Sequence, residues 1–260
     1  MKTGIAQINC SPGDIKANLE KITQFTHSAK KHGCDVIVFP EMADTGYEMA
    51  TIRNSASSWE EEPFKHLQQT AVKNDIGIIC GISERIKDKI FNSIAVINEQ
   101  GNLVGKYQKT HLAAYPPFNE DSIITLGDSL AIIPIGEFRV GLMICYDLRF
   151  PEIARSLALK GADVFVLCSA WPFPRLTHWE TLIRARAIEN QAYFVAANRV
   201  GSVGRIAFCG SSRIIDPYGV VVSSAAENRE ELIVGKINKE TILSVRKQMP
   251  VFSHRRGDLY

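Results

Sequence analysis

No stretch of this 260-residue chain approaches the ~18 continuous apolar residues of a membrane-spanning helix. Neither sign of charge is in excess: the formal net charge is +2, too small for the field that a nucleic-acid binder uses. There is no low-complexity tract, no linker and no C-x-x-C pair among six cysteines at 10, 34, 80, 145, 168 and 209. Disulfide frameworks belong to short secreted chains, and MKTGIAQINCSPGD runs straight into a strand with no signal peptide. These absences predict a cytoplasmic protein with reduced thiols that binds neither nucleic acid nor membrane. The one local basic excess, SVRKQ and SHRRGD, reads as solvated surface or as an anion-binding patch.

What is present is ordinary for a chain with a large core, with 45% hydrophobic and 22% charged residues. TGIAQINC reads as a strand, SPGD as its turn, and Ile15, Leu19, Ile22, Phe25 and Ala29 recur at helical spacing. CDVIVFPE reads as a buried strand closing on a charge, followed by a helix near 60–73 and the buried strand IGIICGI. FNSIAVINEQGNLVGKYQKTHL reads as two strands about NEQGN, and LAIIPIGEFRVGLMIC as a pair turned at IGEF. A helix from Pro151, the strand ADVFVLCSA, a helix over 177–190 and the strand AYFVAAN come next, then three strands with a DPYG turn. Alternating strands and helices predict an α/β fold in one domain over 1–260, whose two strand–helix–strand halves could stack their sheets face to face.

Three segments carry chemistry. Glu41 closes VIVFPE at the carboxyl end of a strand, where α/β sheets place ligand sites. It is either a solvated terminus or a base. Lys109 ends the hairpin strand GKYQKTHL and alone reads as a surface lysine. His111 shares its face and reads as a hydrogen-bonded structural residue. Cys145 ends the apolar strand VGLMIC before DLRFPE, a turn with proline at a helix start. Helix N–H groups facing the thiol are expected to favour a thiolate, as in a nucleophile elbow with Cys for Ser. The alternative is a buried structural cysteine, the reading given to Cys34, Cys80 and Cys168.

Taken together, the segments are far more specific. FPEMADTGY, GKYQKTHL, GLMICYDLRFPE, RARAIENQAYFVAANRVG and GSSRIIDPYG, with Glu, Lys and Cys 68 and 36 positions apart, resemble the nitrilase superfamily of carbon–nitrogen hydrolases over almost the whole chain. The resemblance implies a four-layer α-β-β-α sandwich, a homodimer or larger homo-oligomer, and no metal or organic cofactor. It implies Cys145 as nucleophile, Glu41 as general base and Lys109 as stabiliser of the tetrahedral intermediate, with the Tyr146 N–H as a second donor. Glu120, in PPFNEDS, fits a second glutamate that holds the lysine; the alternative is an ordinary loop acid.

Cys145 is followed by YDLRF, where nitrilases tend to have Trp-Glu, and this resembles the branch of ω-amidases and deaminated-glutathione amidases. A small dicarboxylic acid monoamide such as 2-oxoglutaramate is the implied substrate. Deaminated glutathione, N-carbamoyl compounds, aliphatic amides and a non-catalytic ligand-binding role are the alternatives. Arg149 either reads the substrate carboxylate or forms a structural ion pair with Glu152 or another acid. Tyr47, Tyr115, Phe118 and Trp171 read either as an aromatic wall or as core or rim, and Ser169, Ala170 and Trp171 are expected to touch the substrate. LAAYPPFNE is shorter than the corresponding loop of many ω-amidases, which leaves the substrate open. A zinc deaminase needs P-C-x-x-C after its H-x-E; HWE at His178 has none. No papain-like cysteine signature occurs either.

Overall fold

The computed structural model describes residues 1–259. In chain order the first half forms β1 (Lys2–Gln7), α1 (Ile15–Lys31), β2 (Val36–Val38), α2 (Met49–Ser55), α3 (Phe64–Asn74), β3 (Gly77–Ile86), β4 (Lys89–Ile97) and β5 (Leu103–Gln108). The second half forms β6 (Ile132–Ile135), β7 (Phe138–Ile144), α4 (Pro151–Leu159), β8 (Val164–Ser169), α5 (Leu176–Asn190) and β9 (Tyr193–Asn198). A small hairpin follows, β10 (Ser202–Val203) and β11 (Ile206–Ala207), then β12 (Arg213–Ile215), β13 (Val221–Ser224), β14 (Glu231–Lys236) and α6 (Lys239–Gln248).

Two six-stranded sheets result, ordered β14-β1-β2-β3-β4-β5 and β13-β12-β9-β8-β7-β6. Each has a parallel centre, β1/β2/β3 and β7/β8/β9, flanked by antiparallel strands. The period of two along each strand makes this a sandwich. Val36, Val38, Ile79, Ile94 and Val96 join Val140, Leu142 and Val166 of the other sheet in one core. Their sequence neighbours Ile37, Ile78, Cys80 and Ala95 point the other way and meet Leu19, Ile22, Leu67 and Ala71 of α1 and α3. On the far side Leu157 of α4 and Ile183 of α5 cover the second sheet. The layers are α-β-β-α.

α1 illustrates the local causes. Asp14 caps it by accepting from the Ala17 N–H at 3.1 Å, and Lys30 and Lys31 sit in its last turn, where the helix dipole favours cations. Leu19, Ile22, Thr26 and Ala29 are its buried stripe. Truncating Ile22, which is fully buried, to Ala costs about 2–5 kcal/mol by loss of burial and creation of a cavity.

Some expectations need correction. The strand expected from Cys34 to Glu41 pairs only over Val36–Val38, because the chain turns at Pro40 and Met42 takes a positive φ of 47°. Helices α2 and α6 were not expected; each buries only one or two residues, too few for a clear periodic stripe. The basic tail is not simply solvated: Arg246 pairs with Asp163 at 3.3 Å, and Lys239 pairs with the same carboxylate. No helix among the described residues is long and apolar enough to cross a membrane.

Candidate active site

The carboxyl ends of β2, β5, β7 and β8 converge. Glu41 lies three residues beyond β2 and fully buried, because its turn presses against β3. A Cβ on Gly81 would meet the Pro40 carbonyl oxygen at 2.4 Å and Glu41 Cα at 2.6 Å, so only glycine permits the approach. The Ala43 N–H then bonds the Gly81 carbonyl at 2.8 Å. Glu41 Oε1 accepts from Lys109 Nζ at 2.9 Å and from Asn92 Nδ2 at 2.6 Å; Oε2 accepts from the Ala170 N–H at 2.8 Å.

Lys109 follows β5 directly and is also fully buried. Its ammonium donates to Glu41 and to both oxygens of Glu120, at 2.7 and 2.9 Å. Glu120 lies in a 3₁₀ turn, and Tyr47 OH (2.7 Å) and the Ala113 N–H (2.6 Å) complete its shell. Burial alone would push the lysine down; the Glu120 and Glu41 charges outweigh it and hold the ammonium well above its ordinary value. Glu41 is raised, by burial first, with Lys109 opposing and Glu120 adding. A raised carboxylate is suited to taking a proton near neutrality.

Cys145 begins a five-residue 3₁₀ segment, Cys145–Arg149, straight after β7, with a positive φ of 41°. Such a φ is unusual for a residue with a Cβ and clusters at functional sites. The carboxylate of Asp147 holds this turn against the lysine segment. It accepts from the Ile144 N–H at 2.9 Å, Tyr107 OH at 2.8 Å and the His111 N–H at 3.1 Å. His111 stacks on Phe150 with centroids 3.9 Å apart, and so is the braced structural histidine that was expected.

The expected thiolate is not favoured. Burial pushes the Cys145 thiol up, the Glu41 charge adds to this, and Lys109 and the Ser169 hydroxyl only partly oppose it. The 3₁₀ segment is too short to supply the dipole of a full helix, and α4 starts six residues later.

A small pocket opens on Cys145. Tyr47, Tyr115, Phe118, Tyr146 and Trp171 are its aromatic lining, with Arg149 and Arg175 as cations. Asn198 Oδ1 accepts from the Trp171 N–H at 2.7 Å and fixes the wall beyond β8.

Three comparisons bear on this arrangement. The family model "Carbon-nitrogen hydrolase" matches residues 2–247. The chain belongs to the carbon–nitrogen hydrolase family. Among its relatives, this hydrolase is 35% identical to the 2-oxoglutaramate amidase of Bacillus subtilis, over 98% of this chain and 97% of that one. It is 33% identical to the deaminated glutathione amidase of Escherichia coli O157:H7, over 92% and 91%. The crystal structure of Saccharomyces cerevisiae Nit3, a member of branch 10 of the nitrilase superfamily, superposes with a TM-score of 0.90 at 30% identity, covering 98% and 96%.

The hydrolase thus brings Glu41, Lys109, Glu120 and Cys145 into one buried cluster. Tyr47, Tyr115, Tyr146, Arg149, Ala170 and Trp171 all line the pocket. Ser169 is fully buried at the end of β8, facing the thiol and outside the lining. Tyr47 and Ala170 are committed elsewhere, the hydroxyl to Glu120 and the amide to Glu41. Arg149 makes no ion pair with Glu152 or any other described acid; its Nη atoms face His178 Nδ1 at 3.4 and 3.5 Å. Sequence reading missed Asn92, Asp147 and Arg175.

Proposed function

We propose that this carbon–nitrogen hydrolase is an amidase that releases ammonia from a small linear amide carrying a carboxylate, such as 2-oxoglutaramate. One observation carries the reaction: a raised carboxylate and an ammonium 2.9 Å apart, both fully buried beside the only cysteine that lines the pocket. The names of the relatives support the amide class. A small pocket lined largely by aromatic rings supports a short substrate over one the size of a tripeptide.

In this reading Cys145 Sγ attacks the amide carbonyl carbon while its proton passes to the Glu41 carboxylate. A thiol held high needs that base in the same step, which is why the two sit together. The carbonyl oxygen becomes an anion. Protonated Glu41 loosens its hold on Lys109, whose freed N–H turns to the oxyanion. The Tyr146 N–H is in the first turn of the 3₁₀ segment, where N–H groups lack intrahelical partners, and it supplies a second donor. The C–N bond breaks, and Glu41 returns its proton to the departing nitrogen, giving ammonia and an acyl thioester. Water then attacks the thioester, Glu41 takes its proton, and the acid leaves as Cys145 recovers its own. Glu120 and Tyr47 keep Lys109 in place throughout.

The test is ammonia release from 2-oxoglutaramate and succinamate, abolished by Cys145→Ala. Activity kept by that variant overturns the mechanism, and release only from uncharged amides overturns the substrate class. The reading includes a homodimer and a cytoplasmic setting. Exposed Leu159, Ile188 and Met249 around one groove support the first, and six free cysteines among the described residues support the second. Light scattering that finds only monomer counts against the dimer.

A further inference from the structure

Among the described residues, the only full charges that line the pocket are the two arginines, and they are in different states. Arg149 lays its guanidinium 4.6 Å from the centre of the Trp171 ring, with Tyr146 at 6.0 Å, and turns its nitrogens to His178. Both the face and the edge of that group are in use. Arg175 sits 5.9 Å from the centre of Phe118, and its guanidinium has no hydrogen bond or ion pair among the described residues. Its main chain is, by contrast, pinned. The Arg175 N–H bonds the Pro172 carbonyl at 3.2 Å, while its own carbonyl accepts from Trp171 Nε1 at 2.9 Å and the Trp179 N–H at 3.1 Å. A fixed base whose guanidinium rests on a ring and keeps its hydrogen-bond donors open is an anion receptor.

Two further observations agree. Burial pushes the Tyr115 phenol up, and the strongest opposing pull is that of Arg175, ahead of Arg149. The floor of the site holds two carboxylates against one ammonium, an excess of negative charge that repels an anionic substrate unless cations at the mouth offset it. A guanidinium cannot shed its charge, and its planar donors match a carboxylate two at a time.

We propose that Arg175 is the specificity-determining residue of this pocket: it pairs with the carboxylate at the far end of the amide, while Arg149 forms part of the wall. The assignment rests on the amidase reading above. It predicts which of two neighbouring cations sets the preference for an anionic over a neutral amide.

Succinamate and butyramide differ by a carboxylate in place of a methyl group, so the ratio of their kcat/KM values measures that preference. In Arg175→Met this ratio falls about 100-fold, the usual loss for a truncated charged partner, and Arg175→Lys recovers part of it. In Arg149→Met the ratio stays within about 3-fold of the wild type, because an aromatic stack is lost and no substrate ion pair is. A second measurement needs no turnover: the ratio of Cys145 alkylation rates by iodoacetate and iodoacetamide, which falls about 10-fold in Arg175→Met. A turnover ratio that does not move in Arg175→Met, or that falls in Arg149→Met instead, overturns the assignment and leaves the amidase reading standing. If neither amide is turned over, an unmoved alkylation ratio overturns it. Equal wild-type turnover of the two amides overturns both the carboxylate reading and the assignment.

Discussion

At the floor of the pocket Glu41, Lys109 and Glu120 are fully buried, and every charged atom among them is bonded by another group of the chain. At its mouth Arg149 and Arg175 are half-buried and pair with no acid among the described residues. The difference separates what the fold must do for itself from what it leaves to a ligand. Charges taken wholly out of water have to be satisfied within the chain, or they unfold it. Charges that keep water can wait for a partner that comes and goes. Floor and mouth should therefore respond to different perturbations, the floor in stability and kcat, the mouth in KM and salt.

Lys109→Met is expected to have the largest effect. It removes the only cation between two buried carboxylates and should destabilise the protein by about 3–5 kcal/mol while abolishing ammonia release. Without the lysine both carboxylates hold protons more tightly, so lowering the pH should restore part of the lost stability. Urea denaturation at two pH values checks both points. A variant as stable as the wild type would mean that the floor is not held by its charges. Glu41→Gln leaves Lys109 balanced by Glu120, so kcat should drop about 10²–10⁴-fold with little change in the urea midpoint. A comparable loss of stability in this variant would blur the distinction.

The pH profile follows from the raised Glu41. Its carboxylate must be free to act, so kcat/KM should fall as pH drops through a midpoint above the ordinary glutamate value of ~4.3. Stability runs the other way in the same window. A carboxylate with a raised folded pKa contributes stability that is complete below ~4.3 and lost as pH rises through the folded value. No alkaline limb is expected near pH 8, since both the Cys145 thiol and the Lys109 ammonium are held above their usual values. An acid limb at or below ~4.3 would contradict the burial argument for Glu41.

How far the sequence was legible differs between these regions too. Glu41, Lys109 and Cys145 could be found because each closes an apolar strand and the three occur in a specific order. Each was ambiguous alone, and the ambiguity went only when the order was read as a whole. Asn92 bonds a residue 51 positions away and Tyr47 one 73 positions away. Neither spacing leaves a periodic trace, so Asn92 was missed and Tyr47 was read as wall, core or rim, with no link to Glu120. Arg175 sits in WPFPR, which reads as a loop before a helix; nothing in that stretch says that its guanidinium lacks an acid. The thiolate expectation failed because burial and the Glu41 charge push the Cys145 thiol up, and both come from segments that meet the cysteine only in the fold. The stacking of the sheets was legible only in outline, from two strand–helix–strand halves; which face of each strand meets which layer was not, because a run such as VIV is apolar on both faces.

The smallest expected effect separates floor from mouth with no mutation at all. Added salt screens charges that face solvent and reaches buried ones poorly. Raising ionic strength from low to about 0.5 M should increase KM for succinamate roughly 3-fold, because the arginines attract the substrate through water. The kcat should hold, because Glu41 and Lys109 interact where no ion enters. Butyramide, which carries no charge, should show neither change. In Arg175→Met the salt dependence of KM for succinamate should flatten, while in Arg149→Met it should persist. A kcat that moved with salt for both amides would place solvent ions among the buried charges, and the contrast between a closed floor and an open mouth would fail at the floor.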